Sequence, residues 1–194
     1  MHDKRLNRPG QNKGIKTAVI RFHSVPHLII MIQTQLFLNK KELSDLTFLS
    51  NQTALEVLAL EENQIADLTP LQALTNLHTL FLCHNKIKNI EPIRNLTKLT
   101  VLSFWDNQIT DISPLANLTN LKELGLGANQ ITDVTPMQKL HNLRETDLEH
   151  NQISDITPLK ELSNLKELHL CDNPLTLSQI EELRQALPNC KVTF

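Results

Sequence analysis

The sequence is poor in several residue types on which many functions depend. Its 194 residues include four glycines, three cysteines, one tryptophan and no tyrosine. Two glycines, Gly125 and Gly127, stand close together and the other two lie near the start of the chain. No glycine-rich loop that could cradle a phosphate group is therefore present. No apolar run reaches the roughly 18 residues of a transmembrane helix, so we predict no membrane span.

The charge of the chain is nearly balanced, and this bears on its partners. Nineteen lysines and arginines oppose 21 aspartates and glutamates, which gives a formal net charge of −2 at pH 7. A protein that binds nucleic acid through the phosphates presents a basic surface. Only the N-terminal residues, up to about residue 16, are basic here, so we predict no nucleic-acid partner.

A repeat of 22 residues dominates the rest of the sequence. It is marked by six equally spaced asparagines: Asn63, Asn85, Asn107, Asn129, Asn151 and Asn173. The pattern L-x-x-L-x-L precedes each asparagine, with Phe104 and Thr146 as exceptions, and an isoleucine or leucine follows two residues later. The period-two alternation indicates a short strand with its leucines inward. A fixed period of this size indicates a solenoid of stacked coils.

The second half of each repeat predicts a return segment without a long helix. Three positions of this half are apolar in five successive repeats. One proline lies among them in each of these coils: Pro70, Pro92, Pro114, Pro136 and Pro158. Because proline interrupts helices, we expect a short extended piece and a 3₁₀-like or single helical turn. One coil cannot bury its own apolar edge, so stacked neighbours must supply a continuous core.

The repeated asparagines are predicted to be structural. The chain turns sharply after each strand, where its backbone groups cannot all pair with neighbouring coils. An amide side chain both donates and accepts hydrogen bonds, so a stacked row of asparagines can satisfy those groups. Thr146 occupies a leucine position, and its hydroxyl must find a partner in the core.

These motifs resemble the leucine-rich repeats of the 22-residue, internalin-like bacterial class. The resemblance is carried by residues 64–71 (QIADLTPL) and their copies, above all 108–115 (QITDISPL) with 117–121 (NLTNL). It covers about residues 36–194. It implies an α/β solenoid, a right-handed curved superhelix with a concave parallel β-sheet, short 3₁₀ or irregular convex segments and a C-terminal capping helix. The family is built for protein recognition.

Both ends depart from the repeat, which divides the chain into three regions. Residues 1–32 are an N-terminal tail and atypical cap, residues 33–177 hold about seven repeats with the first one degenerate, and residues 178–194 form a C-terminal cap. The basic residues up to about 16 are expected to be disordered. The two stretches that follow, 17–22 and 27–32, are strand-like, and a natural start at Met31 is an alternative.

The C-terminal cap is predicted to be one helix and one partial coil. Residues 178–187 have helical spacing, with Ser178 as N-cap and acidic residues in the first turn. Pro188 is expected to end this helix. Cys190 and Val192 then keep the phase of the strand leucines.

The residues between the strand leucines are predicted to form a binding surface, because they face the concave side. The candidates are Val57, Phe81, Val101, Trp105, Glu123, Glu145, Asp147, Glu149, His150, Glu167, His169 and Asp172. The N-terminal members are apolar, and Gly125 and Gly127 leave a shallow hollow beside Trp105. The other members form an acidic field. Exposed tryptophans are typical of interface hot spots. We therefore expect a protein or peptide with an apolar anchor and basic residues.

Neither catalysis nor a metal or other cofactor is predicted. Asp147, Glu149, His150 and His169 lie on adjacent coils, but their spacing matches no established ligand motif, and a solvated acidic face is the favoured interpretation. The cysteines lack a base partner for nucleophilic chemistry. Cys171 lies near Glu149, which should raise its pKa.

The cysteines also bear on the compartment. Cys83 and Cys171 are four coils apart, about 19 Å, which is too far for a disulfide. Unpaired thiols are typical of a reducing compartment, and polar residues interrupt the apolar stretch that a signal peptide would need. We therefore predict a cytoplasmic, monomeric, non-enzymatic interaction scaffold. The alternatives are a secreted internalin-type adhesin or effector and a regulatory subunit of an intracellular phosphatase.

Overall fold

The computed structural model describes residues 17–21 and 29–194, with side chains from Gln33 onward. Two antiparallel strands come first, β1 (Thr17–Arg21) and β2 (Ile29–Gln33), with Thr17 opposite Gln33. β1 falls within the first stretch predicted to be strand-like, and β2 overlaps the second and extends one residue beyond it, to Gln33. The disorder predicted for the basic residues up to about 16 lies outside the described residues.

The main sheet consists of eight parallel strands, one for each coil. They are β3 (Gln35–Phe37), β4 (Val57–Ala59), β5 (Thr79–Phe81), β6 (Val101–Ser103), β7 (Glu123–Gly125), β8 (Glu145–Asp147), β9 (Glu167–His169) and β10 (Lys191–Thr193). Their order in the sheet follows the sequence from β3 to β10. From β3 to β9 each residue pairs with the residue 22 positions later, as Leu58 does with Leu80. The predicted solenoid with a parallel sheet is confirmed.

The return segments are short 3₁₀ helices on the opposite side of the coil. They span Thr47–Leu49, Thr69–Leu71, Glu91–Ile93, Ser113–Asn117, Thr135–Lys139 and Thr157–Glu161. In the last five, proline occupies one of the first two positions, where its missing N–H and fixed φ are tolerated. The predicted 3₁₀ turns are confirmed.

The core lies between the sheet and these 3₁₀ helices. Stacked leucines and isoleucines from each coil fill it, and nearly all of them are inaccessible to solvent. Thr146 is also fully buried, and its hydroxyl donates to the carbonyl of Leu124 at 2.9 Å. The polar group that interrupts the leucine column thus has the partner that its position requires.

The six asparagines lie in the turns that follow β4 to β9, and they bond the same backbone groups in every coil. Asn107 is representative. Its Nδ2 donates to the carbonyls of Leu82 and Phe104 at 2.9 and 3.0 Å, and its Oδ1 accepts from the N–H of Ile87 at 3.0 Å. Each side chain therefore joins two coils and closes the turn of its own coil.

The turn before each asparagine contains a residue in the left-handed region, which the sequence analysis did not predict. Glu62, His84, Asp106, Ala128, His150 and Asp172 have φ values between 52° and 56°. This conformation costs roughly 1–2 kcal/mol for a residue other than glycine. Backbone bonds such as His84 N–H to the carbonyl of Trp105, at 2.8 Å, stabilise it.

The C-terminal end is closed by the helix α1 (Leu177–Ala186) and by β10, which pairs with β9. The predicted N-cap, Ser178, is wrong. Thr176 caps the helix because Gln179, three residues later, completes a capping box: the Thr176 hydroxyl accepts from the Gln179 N–H, and Gln179 Oε1 accepts from the Thr176 N–H. The first turn contains no acidic residue, contrary to expectation.

Candidate interaction surface on the concave face

The outward side chains of the sheet form columns along the solenoid. Parallel strands in register place residues 22 positions apart side by side, about 4.8 Å from each other. The first column holds Gln35, Val57, Thr79, Val101, Glu123, Glu145, Glu167 and, from β10, Lys191; the second holds Phe37, Ala59, Phe81, Ser103, Gly125, Asp147, His169 and, from β10, Thr193. A third column follows after the strands: Asn39, Glu61, Cys83, Trp105, Gly127, Glu149 and Cys171. The left-handed residues of the turns form the edge beyond it.

The apolar half of this surface differs from the prediction at Phe81. This residue was expected to be an exposed anchor, but only 5% of it is accessible. The prediction is wrong because neighbouring columns on a sheet are close enough to cover a ring lying between them. Val57 and Val101 are half-buried. Phe37, 44% exposed at the first coil, is the accessible phenylalanine of this face.

Trp105 does not stand beside a hollow, as predicted, but fills it. A Cβ built on Gly127 would lie 2.6 Å from both Cδ1 and Nε1 of the indole, closer than atoms can approach. The indole therefore lies over the backbone of the next coil, and Gly127 is the residue that leaves room for it. Gly127 is itself buried, while Trp105 remains half-buried.

His84 holds the other side of the indole. The two ring centroids are 5.1 Å apart at an interplanar angle of 64°, an edge-to-face arrangement that aromatic pairs favour. Nδ1 of His84 lies 2.8 Å from Oδ2 of Asp106, so the imidazole is itself positioned. Trp105 is thus packed between His84 and the Gly127 backbone.

The acidic half has a column of three glutamates at its centre. Burial, followed by the negative charges of Glu123 and Glu167, raises the pKa of Glu145. Burial also raises the pKa of Asp147, and the Glu149 N–H that donates to its Oδ1 at 2.9 Å opposes the rise. Within the part of the chain whose side chains are described, no lysine or arginine lies within 4.0 Å of these carboxylates.

Among the described residues, the basic side chains within 4.0 Å of the acidic half are histidines. His169 Nδ1 lies 3.9 Å from Glu149, and its Nε2 lies 3.7 Å from Glu167. His150 instead approaches Asp172 at 3.2 Å, at the edge of the face. The four residues that were weighed as metal ligands are therefore not one cluster.

A different set of three side chains comes closer together. Ligand atoms of Glu145, Glu167 and His169 all lie within 4.8 Å of one another, and each residue is half-buried. Nδ1 of His169 is 2.9 Å from the hydroxyl of Thr193. Such acidic groups on a solvated face are common without an ion, so the cluster supports no metal assignment.

The three cysteines are free, and their thiols are poor nucleophiles. Burial raises the pKa of Cys83 to about 12 and that of Cys190 to about 11. Burial, together with Glu149, raises the pKa of Cys171. Thiolates are the reactive form, so these residues form no nucleophilic centre at neutral pH.

Sequence reasoning missed several residues of this surface. Phe37 lies 22 residues before Ala59 and could have been found from the repeat. Because the first coil is degenerate, the outward columns were not continued into it. The roles of Gly127 and His84 depend on the direction in which the indole packs, and no sequence pattern carries that direction. Of the predicted residues, the structure brings Trp105 close to Asp147 at Gly127, and it brings Glu145, Glu167 and His169 together in the acidic half.

The comparisons with known proteins agree with this architecture. The family profile described as Leucine Rich repeats (2 copies) matches residues 53–95, 75–117 and 97–139, and the profile described as Leucine Rich Repeat matches 164–186. No curated protein matches the chain. No described helix has both the length and the apolar character needed to cross a membrane.

The solved structures that resemble this chain include two from Listeria monocytogenes. An internalin (inlF) is 35% identical with a TM-score of 0.74, over 82% of this chain and 54% of that one. An internalin C2 is 34% identical with a TM-score of 0.67, over 83% and 81%. A leucine-rich repeat protein of Leptospira interrogans is 26% identical with a TM-score of 0.65, over 76% and 45%.

The chain belongs to the leucine-rich repeat family and to its internalin-like class. It spans about half the length of the first of these internalins. Proteins of this fold are in general scaffolds for interaction with other proteins rather than enzymes.

Proposed function

We propose that the chain is a non-enzymatic scaffold that binds a partner protein or peptide on the concave face of its sheet. The observation that carries the proposal is Trp105, the only tryptophan, which is half-buried on that face and held between His84 and Gly127. A large aromatic group that is fixed in place but still accessible is typical of an interface hot spot. No structural role in the repeat requires it, since no other coil has an aromatic residue at this position.

The two halves of the face suggest a partner with two kinds of side chain. Phe37, Val57, Val101 and Trp105 would contact apolar groups. The carboxylates from Glu123 to Asp172 would contact basic groups. We propose no nucleic-acid partner, because carboxylates outnumber the one lysine, Lys191, in the outward columns of this surface.

The binding experiment compares aromatic residues on the two sides of the solenoid. Affinity capture is carried out with the wild type, with Trp105→Ala and with Phe48→Ala, which removes a 52% exposed ring from the first 3₁₀ helix. Captured proteins are then tested individually by titration. We expect one partner to be lost with Trp105→Ala and retained with Phe48→Ala. Equal retention by both variants would refute a concave binding site centred on Trp105.

We propose a reducing compartment, on the basis of the three free thiols, and a monomer remains an expectation. The similarity to internalins supports a second candidate, a secreted adhesin or effector. The source cells and their medium are fractionated, and an antibody against the chain detects the protein in each fraction. This experiment distinguishes a protein of a reducing compartment from a secreted one. Protein in the culture medium would favour the second candidate. Nothing in the geometry favours the phosphatase subunit, which remains an expectation from the repeat length.

A further inference from the structure

The indole of Trp105 and the carboxylate of Asp147 flank the same point on the concave face. The position that a Cβ of residue 127 would occupy lies 2.6 Å from the indole Nε1 and 2.9 Å from Oδ1 of Asp147. The aromatic and the acidic halves therefore meet above Gly127.

Asp147 is fixed in this place and lacks a strong counter-charge. The Glu149 N–H donates to its Oδ1 at 2.9 Å, which sets the direction of the carboxylate. Among the described side chains no lysine or arginine comes within 4.0 Å of it, and Glu149 adds a further negative charge close by. A half-buried carboxylate in this setting is stabilised by any cation that a partner supplies.

The ring beside it selects the kind of cation. A lysine or arginine side chain has an apolar stem and a charged end, and its cation is attracted to the face of an indole. A free metal ion would gain nothing from the ring, and a purely apolar side chain would leave the carboxylate unpaired. An aromatic ring next to a carboxylate therefore suits a basic side chain, since the ring can contact its apolar stem and the carboxylate can pair with its charge.

We propose that Trp105 and Asp147, brought together above Gly127, form a subsite for a lysine or arginine side chain of the partner. The stem lies against the indole and the charge meets the Asp147 carboxylate. This inference rests on the proposed function, since it names the residue type that the concave face recognises. It makes Gly127 a positioning residue, because any larger side chain would separate the indole from the carboxylate.

The experiment uses the full chain and a fluorescein-labelled oligolysine peptide, with anisotropy measured at physiological ionic strength. A second peptide has its lysines acetylated, which removes the charge and keeps the stem. The variants are Trp105→Ala and Asp147→Asn, with Glu161→Gln as the control. Glu161 is an exposed residue at the end of the last 3₁₀ helix, and its substitution changes the net charge by the same amount as Asp147→Asn.

We expect both subsite variants to weaken oligolysine binding by about tenfold or more, which corresponds to about 1.4 kcal/mol. The control should change it by less than about twofold, and the acetylated peptide should bind far more weakly than its charged twin. A loss in Asp147→Asn no greater than in Glu161→Gln would overturn the subsite. Undiminished binding of the acetylated peptide would overturn it as well.

One further variant separates a partner from the chain itself as the source of the cation. If deletion of the basic residues 1–16 raised the affinity for oligolysine by about tenfold, those residues would be the occupant and the assignment to a partner would be overturned. An unchanged affinity supports it. Loss of a captured partner in Trp105→Ala, together with normal oligolysine binding in Asp147→Asn, would leave the proposed function standing without the basic subsite.

Discussion

The row of asparagines in the turns and the concave face of the sheet belong to the same coils but differ in how much their residues vary from coil to coil. Six coils have the same asparagine with the same bonds to the backbone. In the third outward column, two residues before each of those asparagines, the residues are in turn glutamate, cysteine, tryptophan, glycine, glutamate and cysteine. Where a side chain must bond buried backbone groups, one residue type recurs in every coil. Where a side chain faces solvent, many residue types are accepted. The difference indicates that the repeat supplies stability and that its departures supply recognition.

The largest expected effect is on the asparagine row. In Asn107→Ala the carbonyls of Leu82 and Phe104 and the N–H of Ile87 lose a buried partner. Each such loss costs about 1–3 kcal/mol, so we expect a decrease of about 3 kcal/mol or more in the free energy of unfolding in urea. The matched control is Asn95→Ala, at an exposed position, which should change it by less than about 0.5 kcal/mol. Similar values for the two would mean that the asparagine row is not what holds the coils together.

A smaller effect on the unfolding free energy is expected at Gly127, where the indole of Trp105 lies over the backbone. Gly127→Ala places a methyl group against the indole, so we expect a loss of about 1–3 kcal/mol and a red shift in the emission of the only tryptophan. In the Trp105→Ala background the clash with the indole is removed, and only Oδ1 of Asp147, at 2.9 Å, remains close to the methyl group. The same substitution should there cost clearly less, as a double-mutant cycle would measure.

Gly125→Ala is the control for this cycle, since it adds the same methyl group in the neighbouring column. An equal cost of Gly127→Ala with and without the indole would show that the glycine does not serve Trp105. The emission of the wild type and of Gly125→Ala should coincide.

The smallest effect concerns the glutamate column and depends on pH. Burial, with Glu123 and Glu167, raises the pKa of Glu145, so ionising this carboxylate is less favourable in the folded chain than in the unfolded one. The stability it contributes is complete below the ordinary pKa of 4.5 and is lost as the pH rises through the folded value. Glu145→Gln should therefore raise the unfolding free energy at pH 7, by less than about 1 kcal/mol because of solvent screening, and the gain should vanish at pH values below the ordinary pKa. Thermal unfolding of the wild type and of Glu145→Gln at both pH values measures this gain in stability. A gain that persists at acid pH would contradict repulsion between ionised glutamates as its cause.

The repeat explains why so much of this fold could be predicted and some of the surface could not. The positions of Leu58 and Asn107 follow from a period that every coil obeys, because a stacked core leaves no alternative. The burial of Phe81 and the packing of Trp105 over Gly127 depend on contacts between particular neighbours that occur once in the chain. Thr176 was missed as the N-cap because Thr176 with Gln179 and Ser178 with Glu181 both match the spacing of a capping box, so the sequence does not distinguish them.

The central claim is that the repeat supplies stability and the concave face supplies recognition. Its most direct test measures the unfolding free energy and partner capture on the same Trp105→Ala sample. Because the ring is half-buried and outside the leucine core, we expect the unfolding free energy to fall by no more than about 1–2 kcal/mol while the captured partner is lost. A partner that remains bound to Trp105→Ala, with the fold intact, would contradict the assignment of recognition to the concave face.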